Sequence, residues 1–169
     1  MAGKQKAEHE VFSDSLLLLS CLVTERPEKE WVQAMGLDFR GDEGDEFSQL
    51  LRIPLGRFVP PFLAAHQKAV APQDFMSRLL VIYRGQGYKF EQSTGERSDH
   101  VGVVLEFLAL LESKKKDPGD ELRTLIALPL KQFAEKLGKG TEHPLYRKVA
   151  EVLADLAETE AVAKVQKEI

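Results

Sequence analysis

The chain has 169 residues, of which 43% are hydrophobic and 30% are charged, and its formal net charge is −4. This length and composition are typical of a single soluble domain with a sizeable core. An acidic chain lacks the basic stripe of a nucleic-acid binder, and it is better suited to binding a basic peptide.

Cys21 is the only cysteine, which excludes an internal disulfide and fits a reducing compartment such as the cytoplasm. The apolar run Leu16–Val23 before and around it resembles the hydrophobic part of a signal peptide. However, Glu8, Glu10 and Asp14 stand where a signal peptide is basic, and the run is too short to span a membrane. We therefore predict a buried first helix and a cytoplasmic protein.

The first half of the chain predicts short helices joined by proline-rich and acidic loops. Residues 1–7 are expected to be flexible, and a first helix runs from about Glu8 to Thr24 with Val11 and Leu22 on its apolar face. Pro27 is placed to open the second helix, and Asp45 to cap a third that ends at Leu51. Prolines keep residues 53–61 extended, and a short helix follows over 62–68.

Longer helices are predicted in the second half. Pro72 opens an amphipathic helix that ends near Gly85 or Gly87, and a polar connection over 88–97 leads to an apolar helix. Asp117 is expected to cap the next helix, and Pro144 opens the last one. The prediction is an all-α, single-domain bundle of seven or eight helices over residues 8–160, with 161–169 as the end of the last helix or a frayed tail.

The helix predicted over Ser98–Leu111 is apolar on most sides, so it belongs in the middle of the bundle. Asp99, Gly102 and Glu106 share one face of it, since they are three or four residues apart. One interpretation is an acidic slot floored by Gly102, in which the two carboxylates bind an arginine. The alternative is that Asp99 or Ser98 only caps the helix and His100 packs at its entrance.

Other chemistry finds little support in the sequence. The four histidines have no metal-ligand spacing, so we predict neither a metal nor a cofactor, and no serine-nucleophile motif is present. The glycine-rich run Arg84–Gly87 follows a helix rather than a strand, which is the wrong end of a helix for phosphate. A small nucleotide-binding regulator and an adaptor protein remain the alternative functions.

The segment Tyr83-Arg84-Gly85-Gln86-Gly87, followed after a loop by Asp99-His100-Val101-Gly102 and Leu105-Glu106-Phe107-Leu108, resembles the signature of the TorD/DmsD/NarJ-like chaperones. In that family the pattern is an aromatic, a basic residue and a glycine, then Pro-Asp-His-Ile-Gly and Leu-Glu-Phe-Leu. Val59-Pro60-Pro61-Phe62 resembles the family's proline-rich segment. Ser98 departs from the family, because it stands where the usual proline precedes Asp-His.

The resemblance implies a non-catalytic cytoplasmic chaperone for a molybdoenzyme or a related iron–sulfur oxidoreductase. Such a protein holds the apo-subunit, often through its twin-arginine leader peptide, until the cofactor is inserted. The resemblance is compatible with a monomer or a domain-swapped dimer, with the loop over 88–97 as the hinge. The predicted peptide-binding residues are Asp99, His100, Glu106, Gly102, Gly87, Tyr83, Arg84, Pro60, Pro61 and Phe62.

Overall fold

The computed structural model describes residues 2–90 and 96–168, and the side chains of residues 11–90 and 96–159. Seven α-helices and one 3-10 turn, Leu63–His66, form the described part, which confirms the all-helical prediction. The predicted hinge loop includes residues 91–95, which lie outside the described residues. The helices are α1 (Ala2–Thr24), α2 (Lys29–Ala34), α3 (Glu43–Leu51), α4 (Pro72–Gly85), α5 (Val101–Ser113), α6 (Asp120–Gly140) and α7 (Pro144–Glu168).

Several helix starts differ from the predicted ones, for local reasons. Pro27 does not open α2, because the chain stays extended through Glu28, which is the N-cap. Asp42 takes the N-cap position of α3 in place of Asp45. Asp117 does not cap α6, since Gly119, with a φ of 91°, turns the chain into a helix that begins at Asp120.

Helix ends and the proline-rich segment also differ from expectation in part. α4 ends at Gly85, as predicted, and Gly87 follows with a φ of 75°, a conformation that favours glycine. α6 continues through Pro129 and ends at Gly140. The helix predicted over 62–68 is shorter, a 3-10 turn over Leu63–His66.

The core lies between two packed helix pairs, α1 with α5 and α6 with α7. The apolar character of α5 is explained by its position, because its residues from Val101 to Leu111 are almost all buried. On α1, Leu22 is fully buried as predicted, whereas Val11 is 66% exposed and does not belong to the core.

Side-chain hydrogen bonds fix the register of α1 against α5. Ser13 Oγ donates to the carbonyl of Ala109 at 3.0 Å, and Ser20 Oγ donates to the carbonyl of Gly102 at 2.7 Å. Both serines are buried, so each bond satisfies a hydroxyl that would otherwise be costly inside the core. The small side chains at these contacts allow the two helices to approach closely.

In the described part of the chain, no helix combines the length and the apolar character required to cross a membrane.

Candidate functional site

The proline-rich segment and the start of α5 are joined by backbone hydrogen bonds. Leu63 N donates to the carbonyl of Asp99 at 2.9 Å, and Val101 N donates to the carbonyl of Pro61 at 2.8 Å. These bonds form an isolated antiparallel bridge between Phe62 and His100. Residues that are almost forty positions apart in sequence therefore meet at the N-terminus of the central helix.

Asp99 is completely buried and its carboxylate is fully engaged within the protein. Arg97 Nε donates to Oδ1 and Arg97 Nη2 to Oδ2, each at 2.9 Å, which is a bidentate pair. Ala64 N also donates to Oδ2, at 3.1 Å. Asp99 thus links the segment before α5 to the 3-10 turn.

Arg97 covers the buried carboxylate with its guanidinium group. The guanidinium carbon lies 4.4 Å from the centre of the Phe62 ring, a cation–π distance. The Arg97 side chain is 42% exposed, whereas that of Asp99 is inaccessible. The Asp99 carboxylate and the Phe62 ring therefore bound a place for one planar guanidinium group, and Arg97 occupies it.

His100, rather than Asp99, caps α5. Its Nδ1 accepts the backbone N–H of Gly102 at 3.0 Å, so the neutral ring holds its proton on Nε2, which lies 3.6 Å from a carboxylate oxygen of Glu96. The ring also contacts Phe62 edge to face, with centroids 5.5 Å apart. Burial lowers the pKa of His100, which favours this neutral form. The interpretation of Asp99 as the cap is therefore wrong.

Gly102 and Glu106 do not form the predicted slot with Asp99. Gly102 is buried against α1, where a Cβ atom would come within 2.0 Å of Thr24 Oγ1. Glu106 is exposed on α5, close enough to Tyr88 to contribute, after burial, to raising the pKa of that phenol to about 12. Gly102 therefore allows α5 to pack closely on α1, and the Asp99 carboxylate faces Arg97 rather than Glu106.

Tyr83, Arg84 and Gly87 belong to a groove along α4. Tyr83 is buried and donates a 2.7 Å hydrogen bond from its hydroxyl to the carbonyl of Ser98, which ties α4 to the start of α5. Burial raises the pKa of Tyr83, so the hydroxyl keeps this proton. Arg84 and Gly87 are exposed at the rim of a cavity of about 620 Å³.

A second cavity, of about 500 Å³, adjoins the first at Leu80 and Phe90 and reaches Arg97 and Ser98. Together the two cavities form what we call the α4 groove. Its wall combines apolar and aromatic side chains with polar and charged ones, Lys89 and Gln73 among them, and one end lies beside the guanidinium of Arg97. The structure therefore brings the Tyr83–Gly87 segment and the residues just before Asp99–His100 to one surface, which is lined by Gln73, Met76, Ser77, Leu80, Tyr83, Arg84, Gly87, Tyr88, Lys89, Phe90, Glu96, Arg97 and Ser98.

The site also includes residues that the sequence analysis missed. Arg97 precedes Asp99 by two positions, but nothing in the sequence distinguishes it from other exposed arginines. His66 is buried and donates from Nε2 to the carbonyl of Pro60 at 2.7 Å, while Lys136 Nζ lies 3.2 Å from Nδ1. His66 therefore fastens the proline-rich segment to α6, a contact that depends on residues seventy positions apart.

A separate polar cluster joins the loop before α3 to the start of α7. Asp42, Glu43 and His143 bring ligand atoms within 4.8 Å of one another. Each group already has protein partners, however. His143 Nδ1 accepts from Leu145 N and its Nε2 lies 2.8 Å from Asp42, while Glu43 accepts the N–H groups of Arg40 and Gly41. Because Nε2 must then hold the ring proton, the cluster acts as a structural link between the loops.

Fold and site together define a class: an all-helical protein with an aspartate–histidine pair at the entrance of its central helix and a groove with aromatic and aliphatic side chains beside it. The chain matches the family model described as the nitrate reductase delta subunit over residues 24–139, more than half of its length. It therefore belongs to the nitrate reductase delta subunit family, of NarJ/TorD-like maturation chaperones. Comparisons with curated proteins and with solved structures gave no significant match.

Proposed function

We propose that this protein is a cytoplasmic chaperone for the assembly of a molybdoenzyme or a related complex iron–sulfur oxidoreductase. It binds the apo-form of the enzyme subunit through the leader peptide, which contains paired arginines, and releases it once the cofactor is inserted. It acts by binding rather than by catalysis. Membership of the nitrate reductase delta subunit family is the observation that carries this proposal.

The α4 groove is the proposed binding surface for the apolar part of the peptide. Leu80, Tyr88 and Phe90 are partly buried and leave apolar surface facing the groove, where an apolar segment would exclude water. Arg84 and Gly87 lie at its rim. Phe62 and Pro60 are partly exposed beside the other end and extend the surface toward the start of α5.

The buried residues of the site act by positioning these surface groups. All five of these residues, Tyr83, Pro61, Asp99, His100 and Gly102, are buried. Their contribution is to hold α4, the proline-rich segment and α5 in register. Glu106 differs from them because it is exposed, and its carboxylate is available to a basic residue of the peptide. Exposed charges of this kind chiefly affect the association rate and the salt dependence of binding.

Isothermal titration calorimetry with synthetic leader peptides from molybdoenzyme catalytic subunits tests the function and the site together. We expect Phe62→Ala to weaken binding by about tenfold or more, as expected for an aromatic anchor. Glu106→Gln should weaken it by a smaller factor and reduce the salt dependence. Glu135→Gln changes another exposed carboxylate, on α6, and serves as the matched control, with unchanged affinity.

Two results would contradict the proposal at different levels. If a leader peptide binds the unaltered protein and both site variants equally well, Phe62 and Glu106 are not part of the binding surface. If no leader peptide binds, and the protein captures no apo-subunit of such an enzyme, the assembly function itself is wrong. An adaptor role, with Asp99 purely structural, would then be the better account.

A further inference from the structure

The Asp99 carboxylate and the Phe62 ring enclose a guanidinium-sized place that is filled from within the same chain. Two parallel hydrogen bonds of 2.9 Å satisfy the carboxylate along its edge, and the aromatic ring lies 4.4 Å from the guanidinium carbon. A lysine ammonium could not make both contacts, because it has neither the planar fork nor the stacking face. The receptor is thus specific for an arginine side chain.

The burial of the two partners is unequal. Asp99 has no exposed surface, so without a partner it would be a buried carboxylate supported mainly by the Ala64 N–H. Arg97 is 42% exposed and belongs to the short segment before α5, so its side chain can leave toward solvent. The carboxylate is fixed in the core, whereas the cation is the exchangeable partner.

We propose that Arg97 is an internal substitute for an arginine of the client, and that a leader-peptide arginine takes its place on Asp99 and Phe62 when the peptide binds. This inference rests on the proposed leader-peptide function. The α4 groove begins at Arg97, so a peptide lying in it has its neighbouring arginine beside the receptor. An exchange of one guanidinium for another keeps the buried carboxylate paired throughout.

When an internal group competes for the receptor, the apparent affinity for the peptide equals the intrinsic affinity multiplied by the fraction of molecules in which the receptor is free. Removing the competitor should therefore strengthen binding. We expect Arg97→Ala and Arg97→Lys to bind an arginine-paired leader peptide about tenfold more tightly than the unaltered protein. The same peptide with its arginines replaced by lysine should gain nothing from either variant.

The receptor can also be probed without a peptide. In Arg97→Ala the vacated place should accept free ethylguanidinium, and low millimolar concentrations should raise the melting temperature of this variant. Ethylammonium, which has the charge but not the fork, should have no such effect. Arg78→Ala, an exposed arginine elsewhere on α4, is the matched control and should respond to neither cation nor change peptide affinity.

The outcomes separate this inference from the function on which it rests. If a leader peptide binds the unaltered protein but Arg97→Lys and Arg97→Ala bind it no more tightly, the exchange is overturned and the chaperone function stands. If Arg97→Ala is too unstable for titration, Arg97→Lys decides, because it keeps a cation beside the carboxylate. If no peptide binds any variant, the proposed function fails and the exchange fails with it.

Discussion

At the residue scale, Asp99 and His100 perform different tasks although they are neighbours. His100 caps α5 through Nδ1, while the Asp99 carboxylate pairs with Arg97 and with the backbone of the 3-10 turn. The sequence pattern identified both residues but favoured Asp99 or Ser98 as the cap, because aspartate and serine are common N-caps. The choice depends on contacts outside the helix, since the Asp99 carboxylate accepts from Arg97 and from the backbone N–H of Ala64.

Asp99→Asn measures the role of the carboxylate. If Asp99 were only a helix cap, asparagine would replace it at little cost. Because the structure shows a buried, bidentate acceptor, we expect a loss of about 1–3 kcal/mol in the free energy of unfolding, measured by urea denaturation. Asp155→Asn, at an exposed position of α7, should change it little. Equal stability of the two variants would contradict this role.

Two buried histidines, His66 and His100, predict acid sensitivity. Burial lowers the pKa of His66 and of His100 from 6.5, so the folded protein keeps them neutral where the unfolded chain is already protonated. The unfolded state then binds more protons, and stability falls as the pH decreases below about 6.5. The slope is at most about 1.4 kcal/mol per pH unit for each histidine.

His66→Gln tests the contribution of one of them. Glutamine can donate to the carbonyl of Pro60 and accept from Lys136, as His66 does, but it does not titrate. We expect the decrease in unfolding free energy between pH 7 and pH 5 to be smaller in this variant, as measured by urea denaturation at each pH. An unchanged pH dependence would show that His66 is not protonated on unfolding in this range.

At the element scale, the contact between α1 and α5 depends on a glycine. A Cβ atom at Gly102 would lie 2.0 Å from Thr24 Oγ1, 3.2 Å from His100 Nδ1 and 3.3 Å from the carbonyl of Ser20. The helices must therefore separate or Thr24 must move when a larger residue is present. The sequence shows this glycine in an apolar helix, but only the packed pair shows which neighbour requires it.

Gly102→Ala should destabilise the protein by about 1–3 kcal/mol through overcrowding. Thr24→Ala removes the hydroxyl that the new methyl group meets, and this hydroxyl has no hydrogen-bond partner among the residues that the structure describes. We therefore expect the double variant to be more stable than Gly102→Ala, with the coupling measured in a double-mutant cycle of chemical denaturation. Additive effects would place the strain at the Ser20 carbonyl instead.

At the scale of the whole molecule, the family match and the folded core do not have the same limits. The match covers residues 24–139, whereas α1 and α7 contribute many of the buried apolar residues and pack on α5 and α6. These two helices cover apolar residues of α5 and α6. The domain predicted over residues 8–160 includes them, and its limits remain a prediction.

Deletion of residues 1–24 should expose the apolar face of α5 and abolish cooperative thermal unfolding, because Leu16, Leu19 and Leu22 would be lost from the core. Deletion of residues 1–7 alone is the control, and it should leave the melting temperature nearly unchanged, because the buried residues described on α1 begin at Ser13. Circular dichroism and gel filtration report both results. A cooperative, monomeric product after the longer deletion would show that α1 is dispensable.

Hydrophobic periodicity was sufficient to predict the all-helical class, the number of helices and the central position of α5. The reason is that the distribution of apolar residues around a helix indicates which of its faces are buried. The family pattern also located the two segments that meet at the site. Helix starts were predicted less well, since several side chains can serve as the cap and the choice depends on contacts outside the helix.

The partners of each group were decided by the tertiary structure. The sequence determined that Asp99, His100 and Glu106 are polar residues in or next to an apolar helix, and it indicated that this helix lies at the centre of the molecule. Only the fold decided that Glu106 faces outward, that Gly102 faces Thr24 and that Asp99 is paired with Arg97. The physical reason is that a carboxylate accepts hydrogen bonds from the donors that packing places within reach. The sequence does not specify which residues come within hydrogen-bond distance in the fold.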